Sequence, residues 1–131
     1  MKMQTSELTG SALDWAVAKC EGLRLHKDAL LGGIIKDGWW ASGYYADPNQ
    51  WIQLGQLRYS TSWAQGGPII EDKVHTLVER NGAWEVEVFH PKPPNARRFC
   101  YAVKGPTPLI AAMRTYVASR LGGEVEIPED L

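Results

Sequence analysis

Val74-His75-Thr76-Leu77-Val78-Glu79-Arg80 and Ala83-Trp84-Glu85-Val86-Glu87-Val88-Phe89 flank the dipeptide Asn81-Gly82. Asn-Gly is the preferred pair for a two-residue type I′ turn, because both positions need positive φ. The flanks are rich in β-branched and aromatic residues, so the run reads as a hairpin. Counting outward pairs Glu79 with Trp84, Leu77 with Val86 and His75 with Val88 on one face. The other face pairs Val78 with Glu85, Thr76 with Glu87 and Val74 with Phe89. The first face is the more apolar and is expected to face the core, and the second, with two glutamates, to face water. His75 then reads as a packed, hydrogen-bonded core histidine.

Beyond the hairpin, Pro91-Lys92-Pro93-Pro94-Asn95 interrupts the ladder, since proline has no N–H to donate. Phe99, Tyr101 and Val103 alternate with Cys100 and Ala102, which predicts a third strand over about 97–104. The loop before it is too short for a helical crossover, so this strand joins antiparallel. The prediction is a β-meander at about 70–104. Thr107 then caps a helix with Pro108 at its first position. Its apolar stripe is Leu109, Ala112, Met113, Tyr116, Val117 and Leu121, and Gly122-Gly123 ends it. The acidic tail 124–131 reads as a short edge strand or extended arm.

On the N-terminal side, Thr9 caps a first helix in which Leu13, Ala16, Val17 and Cys20 share a face. Gly22 stands where a left-handed glycine ends a helix. Cys20 reads as a small core residue. Residues 23–37 carry apolar mass but are broken by Gly32-Gly33, and 39–45 is an aromatic, extended segment. Residues 47–68 show little periodicity and read as a long irregular segment, the kind that in compact domains often carries function. The fold class is α+β: an antiparallel sheet with an N-terminal and a C-terminal helix packed on one face.

The chain has 131 residues, suiting one domain over 1–131 that can bury a core without staples. Fourteen Lys and Arg against fifteen Asp and Glu give a net charge of -1, which removes the pull on duplex nucleic acid that a basic domain has. Cys20 and Cys100 are too few for a disulfide framework. The first residues lack an apolar signal core, and no apolar run nears the ~18 residues needed to span a bilayer. The expectation is a soluble protein of a reducing, intracellular compartment, with no membrane and no duplex partner. Six tryptophans are the anomaly: Trp15, Trp39, Trp40, Trp51, Trp63 and Trp84. A domain this small cannot bury so many, so some are expected to line a groove or a homo-oligomeric contact.

Catalytic motifs are lacking. His26, His75 and His90 have no metal-ligand spacing, and no nucleophile elbow or phosphate loop is present. Glu85 and Glu87 lie about 7 Å apart along one strand face, within glycosidase range, but a wet hairpin face has the same pattern. No catalytic residue, metal or cofactor is expected. Binding chemistry is better represented. Tyr59, Trp63 and Trp84 offer rings for stacking, and Gln65 and Asn95 offer amides that both donate and accept. Gly66 and Gly67 permit close approach to backbone N–H groups. Arg58, Arg98 and Arg114 can meet phosphate bidentately. These ten residues form the predicted ligand-binding set for a small anionic, nucleotide-like molecule. A protein-interaction module acting on recombination or replication machinery is the alternative.

Three blocks carry a family resemblance: 5–18 (TSELTGSALDWAVA), 59–71 (YSTSWAQGGPIIE) and 105–114 (GPTPLIAAMR). In this order they resemble NinX-type proteins of bacteriophages and prophages. The resemblance implies a phage or prophage origin and the bacterial host cytoplasm, and implies no particular activity. In size and layout the chain is also similar to small phage proteins that sequester cyclic-nucleotide or cyclic ADP-ribose signals of host defence. That likeness implies a compact α+β oligomer with an aromatic, arginine-lined pocket, and no residue is carried over from it.

Overall fold

In the computed structural model, which describes residues 1–45, 47, 49–88 and 103–131, Asn81 and Gly82 take φ of 54° and 80°. This is the turn that Asn-Gly favours. Around it the elements run β1 (Lys2–Gln4), α1 (Gly10–Cys20), β2 (Arg24–Lys27), β3 (Leu30–Leu31), β4 (Ile34–Ile35), β5 (Trp39–Ser42) and β6 (Trp51–Gln53). They continue as α2 (Trp63–Lys73), β7 (Val74–Arg80), β8 (Ala83–Val88), α3 (Pro108–Leu121) and β9 (Glu124–Glu126). The class is α+β, with antiparallel strands and a helix near each end. Among the described residues the strands fall into four small sheets, β1-β9, β2-β5-β6, β3-β4 and β7-β8, where one sheet was expected.

The β7–β8 register follows the sequence count from Arg80↔Ala83 through Thr76↔Glu87. It then slips by one, so that Val74 pairs with Val88. His75 is the extra residue of this bulge and is exposed, which corrects its reading as a core histidine. The gain is apolar: Val88 is 2% exposed, and Val74 packs at the core margin beside it. The meander also starts later than expected, because residues up to Lys73 are helical. The expected pairing of Val74 with Phe89 gives way to Val74↔Val88, and most of the predicted third strand, with Phe89 and Cys100, lies outside the described residues. Val103 and Lys104 form no ladder, and Gly105 bridges antiparallel to Trp84 through N–H···O bonds of 3.0 and 3.1 Å.

Helix α1 ends as its sequence demands. Gly22, at φ 80°, donates to the Lys19 carbonyl and Leu23 to that of Ala18, which satisfies two otherwise orphaned acceptors. Leu13, Ala16 and Val17 are buried, and Cys20 is half-buried, its thiol pushed up to about 12 by burial. Helix α3 is covered on more than its predicted stripe. Ala111, Thr115, Ala118 and Ser119 are buried as well, because these small side chains let α1, α2 and β8 all pack against it. Thr115 keeps its hydroxyl satisfied on the Ala111 carbonyl at 2.7 Å. The tail strand β9 pairs with β1, joining the two ends of the domain.

Residues 47–68 are more ordered than their composition suggests. They hold β6, a 3-10 turn at Leu54–Gln56, and the start of α2. Helix α2 runs through Gly66, Gly67 and Pro68, three residues that disfavour helix interiors. Packing overrides propensity here, since Ile69 is 4% exposed and joins the core.

Candidate functional site

The segment leading into α2 is held by its own polar groups. The Arg58 carbonyl accepts from Thr61 and Ser62 N–H, making a tight turn. Gln65 folds back over it: its Oε1 accepts from Arg58 N–H at 2.5 Å and its Nε2 donates to the Gln56 carbonyl at 2.8 Å. From α1, Asp14 accepts the Ser60 N–H at 2.9 Å. Burial raises the Asp14 pKa, opposed by the Ser60 N–H and hydroxyl and by the charge of Arg58. The Ser60 hydroxyl is buried close to that carboxylate, yet has no partner in hydrogen-bond geometry among the described residues.

Gly66 lies where α2 crosses this segment and α3. A Cβ built on it falls 2.3 Å from the Tyr59 carbonyl oxygen and 2.7 Å from Leu109 Cδ2. The glycine therefore serves close backbone packing. Its N–H is spent on the Ser62 carbonyl at 2.8 Å, so it does not present a free donor to a ligand as the sequence suggested.

The pinned segment separates two hollows. On one side lies a cleft of about 420 Å³, lined among others by Tyr44, Tyr59, Pro68, Glu21, Asp72 and Lys73. Glu21 is fixed there by the Tyr116 hydroxyl, which donates to its Oε2 at 2.6 Å. Lys73 is paired with Asp72 at 2.9 Å. Burial pushes the Tyr59 hydroxyl well above its ordinary pKa, and the charges of Glu21 and Tyr44 add to the effect. Two carboxylates against one paired lysine make this cleft hostile to an anion.

On the other side is a hollow of about 230 Å³ lined by Ser60, Thr61, Trp63, Thr107, Leu109 and Ile110, with Pro108 between. No charged side chain lines it among the described residues. Helices α2 and α3 both begin at it. First-turn N–H groups lack a carbonyl four residues back. In α3, Ile110 N–H is taken by Thr107 Oγ1 at 3.1 Å and Ala111 N–H by the Thr107 carbonyl at 3.0 Å. Pro108 has none to give, and Leu109 N–H has no backbone acceptor among the described residues. The two positive helix ends favour an anion here.

The predicted binding residues divide between these places. Tyr59 and Gln65 line the cleft, Trp63 lines the hollow, and Gly66 and Gly67 lie inside α2 between them. Arg58 is exposed beside Asp14 and lines neither. Trp84 is half-buried in β8. Arg114 lies in a separate open groove, with Nε on the Leu8 carbonyl at 2.8 Å and Nη1 on that of Lys104 at 3.0 Å. Asn95 and Arg98 lie outside the described residues. Sequence reasoning missed Glu21, Tyr44, Asp72 and Tyr116. It found Thr107 as a cap but not as part of a hollow.

All six tryptophans are described, and Trp63 is the one that is mostly exposed, at 55%. Trp15 and Trp39 meet edge to face at 6.4 Å, and Trp39 donates to Asp130. Trp40 donates to the Asp37 carbonyl, and Trp51 packs between His26 and Arg24. Among the described residues no group of three or more His, Cys, Asp or Glu is placed to hold a metal ion. No helix among them is long and apolar enough to cross a membrane.

No curated protein matches the chain. Residues 4–120 match the family described as Bacteriophage P22, NinX, a span that takes in α1, α2 and all but the last residue of α3, and the chain belongs to that phage family.

Proposed function

We propose that the chain is a phage accessory protein that binds a small anionic, nucleotide-like ligand, without turning it over, where α2 and α3 begin. One observation carries this reading: two helix N-termini share a hollow that, among the described residues, has no charged lining but has an exposed indole and a buried Ser60 hydroxyl with no partner in hydrogen-bond geometry. A phosphate seated there takes the Leu109 N–H and the Ser60 and Thr61 hydroxyls, and a base stacks on Trp63. Stacking on an aromatic side chain contributes about 1–3 kcal/mol per base. A helix end adds about 0.3–1 kcal/mol where exposed. These magnitudes suit reversible capture of a signal molecule, and sequestering a nucleotide signal of host defence is the role that binding without turnover would serve.

The test is tryptophan fluorescence titrated with cyclic nucleotides and cyclic ADP-ribose isomers. Quenching that saturates, and that Trp63→Ala removes while the fold persists, is the expected result. No quenching at high micromolar ligand overturns it. Mass spectrometry of small molecules released on denaturing protein purified from its host would identify the ligand.

A protein-interaction module is the second reading, favoured by the β3–β4 tip. Gly32 and Gly33 turn this hairpin at φ 58° and 79°, leaving Leu30, Ile34 and Ile35 between 60% and 68% exposed. It predicts that Ile34→Asp abolishes a specific protein complex and leaves nucleotide quenching intact.

A further inference from the structure

The cleft on the far side of the 58–62 segment has a different chemistry, and nothing above gives it a role. Its floor is apolar, from Leu23, Ala64, Pro68 and Ile69. Its rings are Tyr44 and Tyr59, set edge to face with centroids 6.4 Å apart. Glu21 is held in place by Tyr116, which is 1% exposed, so the carboxylate does not have to be ordered when a ligand arrives. Tyr59 is 3% exposed, and its hydroxyl has no hydrogen-bond partner among the described residues. That hydroxyl lies near enough to Glu21 and Tyr44 to feel both, which sets it at the cleft.

We infer that this cleft binds an organic cation on an apolar stem, an alkylguanidinium or alkylammonium, with Glu21 as its counter-ion. The stem lies on Pro68 and Ile69. The cation meets the Glu21 carboxylate and the Tyr44 ring face, and donates to the Tyr59 hydroxyl. A planar guanidinium suits this arrangement best, since it stacks on a ring while its N–H groups reach a carboxylate in plane. Asp72 and Lys73 neutralise each other at the rim, so one net negative charge remains for one cation. The same group can come from a free amine or from an arginine side chain of a protein partner. The inference does not depend on the anion hollow, which lies on the opposite side of the segment.

Amide chemical-shift titrations of the full chain test it, with propylguanidine, agmatine and N-acetyl-arginine amide as cations and propylsulfonate as the anionic control. Saturable shifts confined to Leu23, Gly43, Ala64 and Ile69 are expected from the cations, and none there from the sulfonate. Tighter binding of the blocked arginine assigns the site to a protein side chain, and tighter binding of agmatine assigns it to a free amine. Glu21→Gln, which keeps an acceptor for Tyr116, is expected to weaken binding about tenfold, the scale of one charge-assisted hydrogen bond. Tyr44→Leu, at an exposed position that does not threaten folding, is expected to weaken it about threefold. The inference is overturned by sulfonate shifting the cleft as the cations do. It is equally overturned if no cation shifts the cleft, or if the cleft shifts survive both substitutions unchanged.

Discussion

The cleft and the hollow are built by one stretch of chain, and they select opposite charges. Tyr59 turns to the cleft and Ser60, the next residue, to the hollow. Ala64, Gln65, Pro68, Ile69 and Asp72 share the face of α2 that lines the cleft, while the first residue of α2 opens on the hollow. The cleft takes its field from side chains, Glu21 and Asp72. The hollow takes its field from backbone, the positive ends of two helix dipoles. Residue charge alone therefore misleads in this region. By residue type Arg58 and Arg114 mark an anion site, yet neither lines the hollow, and among the described residues no charged one does.

The largest effect should come from the position that separates the two. Gly66→Ala gains about 1 kcal/mol of helix propensity. It also drives a Cβ into the Tyr59 carbonyl, and overpacking against backbone costs about 3 kcal/mol at its upper end. A net loss of about 2 kcal/mol in urea unfolding is expected, with both ligand sites impaired together. A stabilised variant would mean that the crossing yields, and that the two sites are not set by one contact.

Asp14 comes next. Asp14→Ala leaves the Ser60 N–H buried without an acceptor, a loss of about 1.5 kcal/mol. Asp14→Asn keeps an acceptor and removes the buried charge, and this separates hydrogen bond from charge. The folded-state pKa of Asp14 is raised above 3.8, so the folded form holds the proton more tightly than the unfolded chain. Its contribution to stability is then full below pH 3.8 and is lost as pH rises through the folded pKa. Asp14→Asn should match the parent in acid and gain on it as pH rises through that window, then hold a constant margin. Unfolding midpoints between pH 3 and 7 would record it.

What the sequence made legible was local. Asn81-Gly82 specifies its turn through two adjacent backbones, and Thr107-Pro108 specifies a helix start through four residues. The bulge at His75 was not legible, because what decides it is the burial of Val88 against the rest of the core. Helix α2 was hidden for a related reason. Gly66-Gly67-Pro68 reads as a breaker, and the need for a bare Cα at 66 arises only when Tyr59 and Leu109 arrive from elsewhere in the chain. Both hollows join residues far apart in sequence, Glu21 with Asp72 and Ser60 with Thr107, and spacing carries no trace of that. The aromatic excess of 39–63 reduces to one exposed indole once Trp39, Trp40 and Trp51 are seen to pack or hydrogen-bond.

The smallest effects make the sharpest test of the comparison, because stability and binding should move apart. Trp63 is mostly exposed, so Trp63→Ala should change stability by less than about 0.5 kcal/mol while removing a stacking face worth about 1–3 kcal/mol to a bound base. Thr107→Ala should do the reverse. It removes the cap on α3 and costs about 1 kcal/mol of stability. It also releases the Ile110 N–H, now held by Thr107 Oγ1, so that a second donor joins that of Leu109 in the hollow. Inorganic phosphate should then bind the less stable Thr107→Ala variant more tightly than the parent, measured by shifts at Leu109 and Ile110. Cation binding in the cleft should be unchanged by either substitution, since neither residue lines it. If Thr107→Ala weakens phosphate instead, the anion is held by the hydroxyl rather than by the helix end, and the contrast between a backbone field and a side-chain field fails.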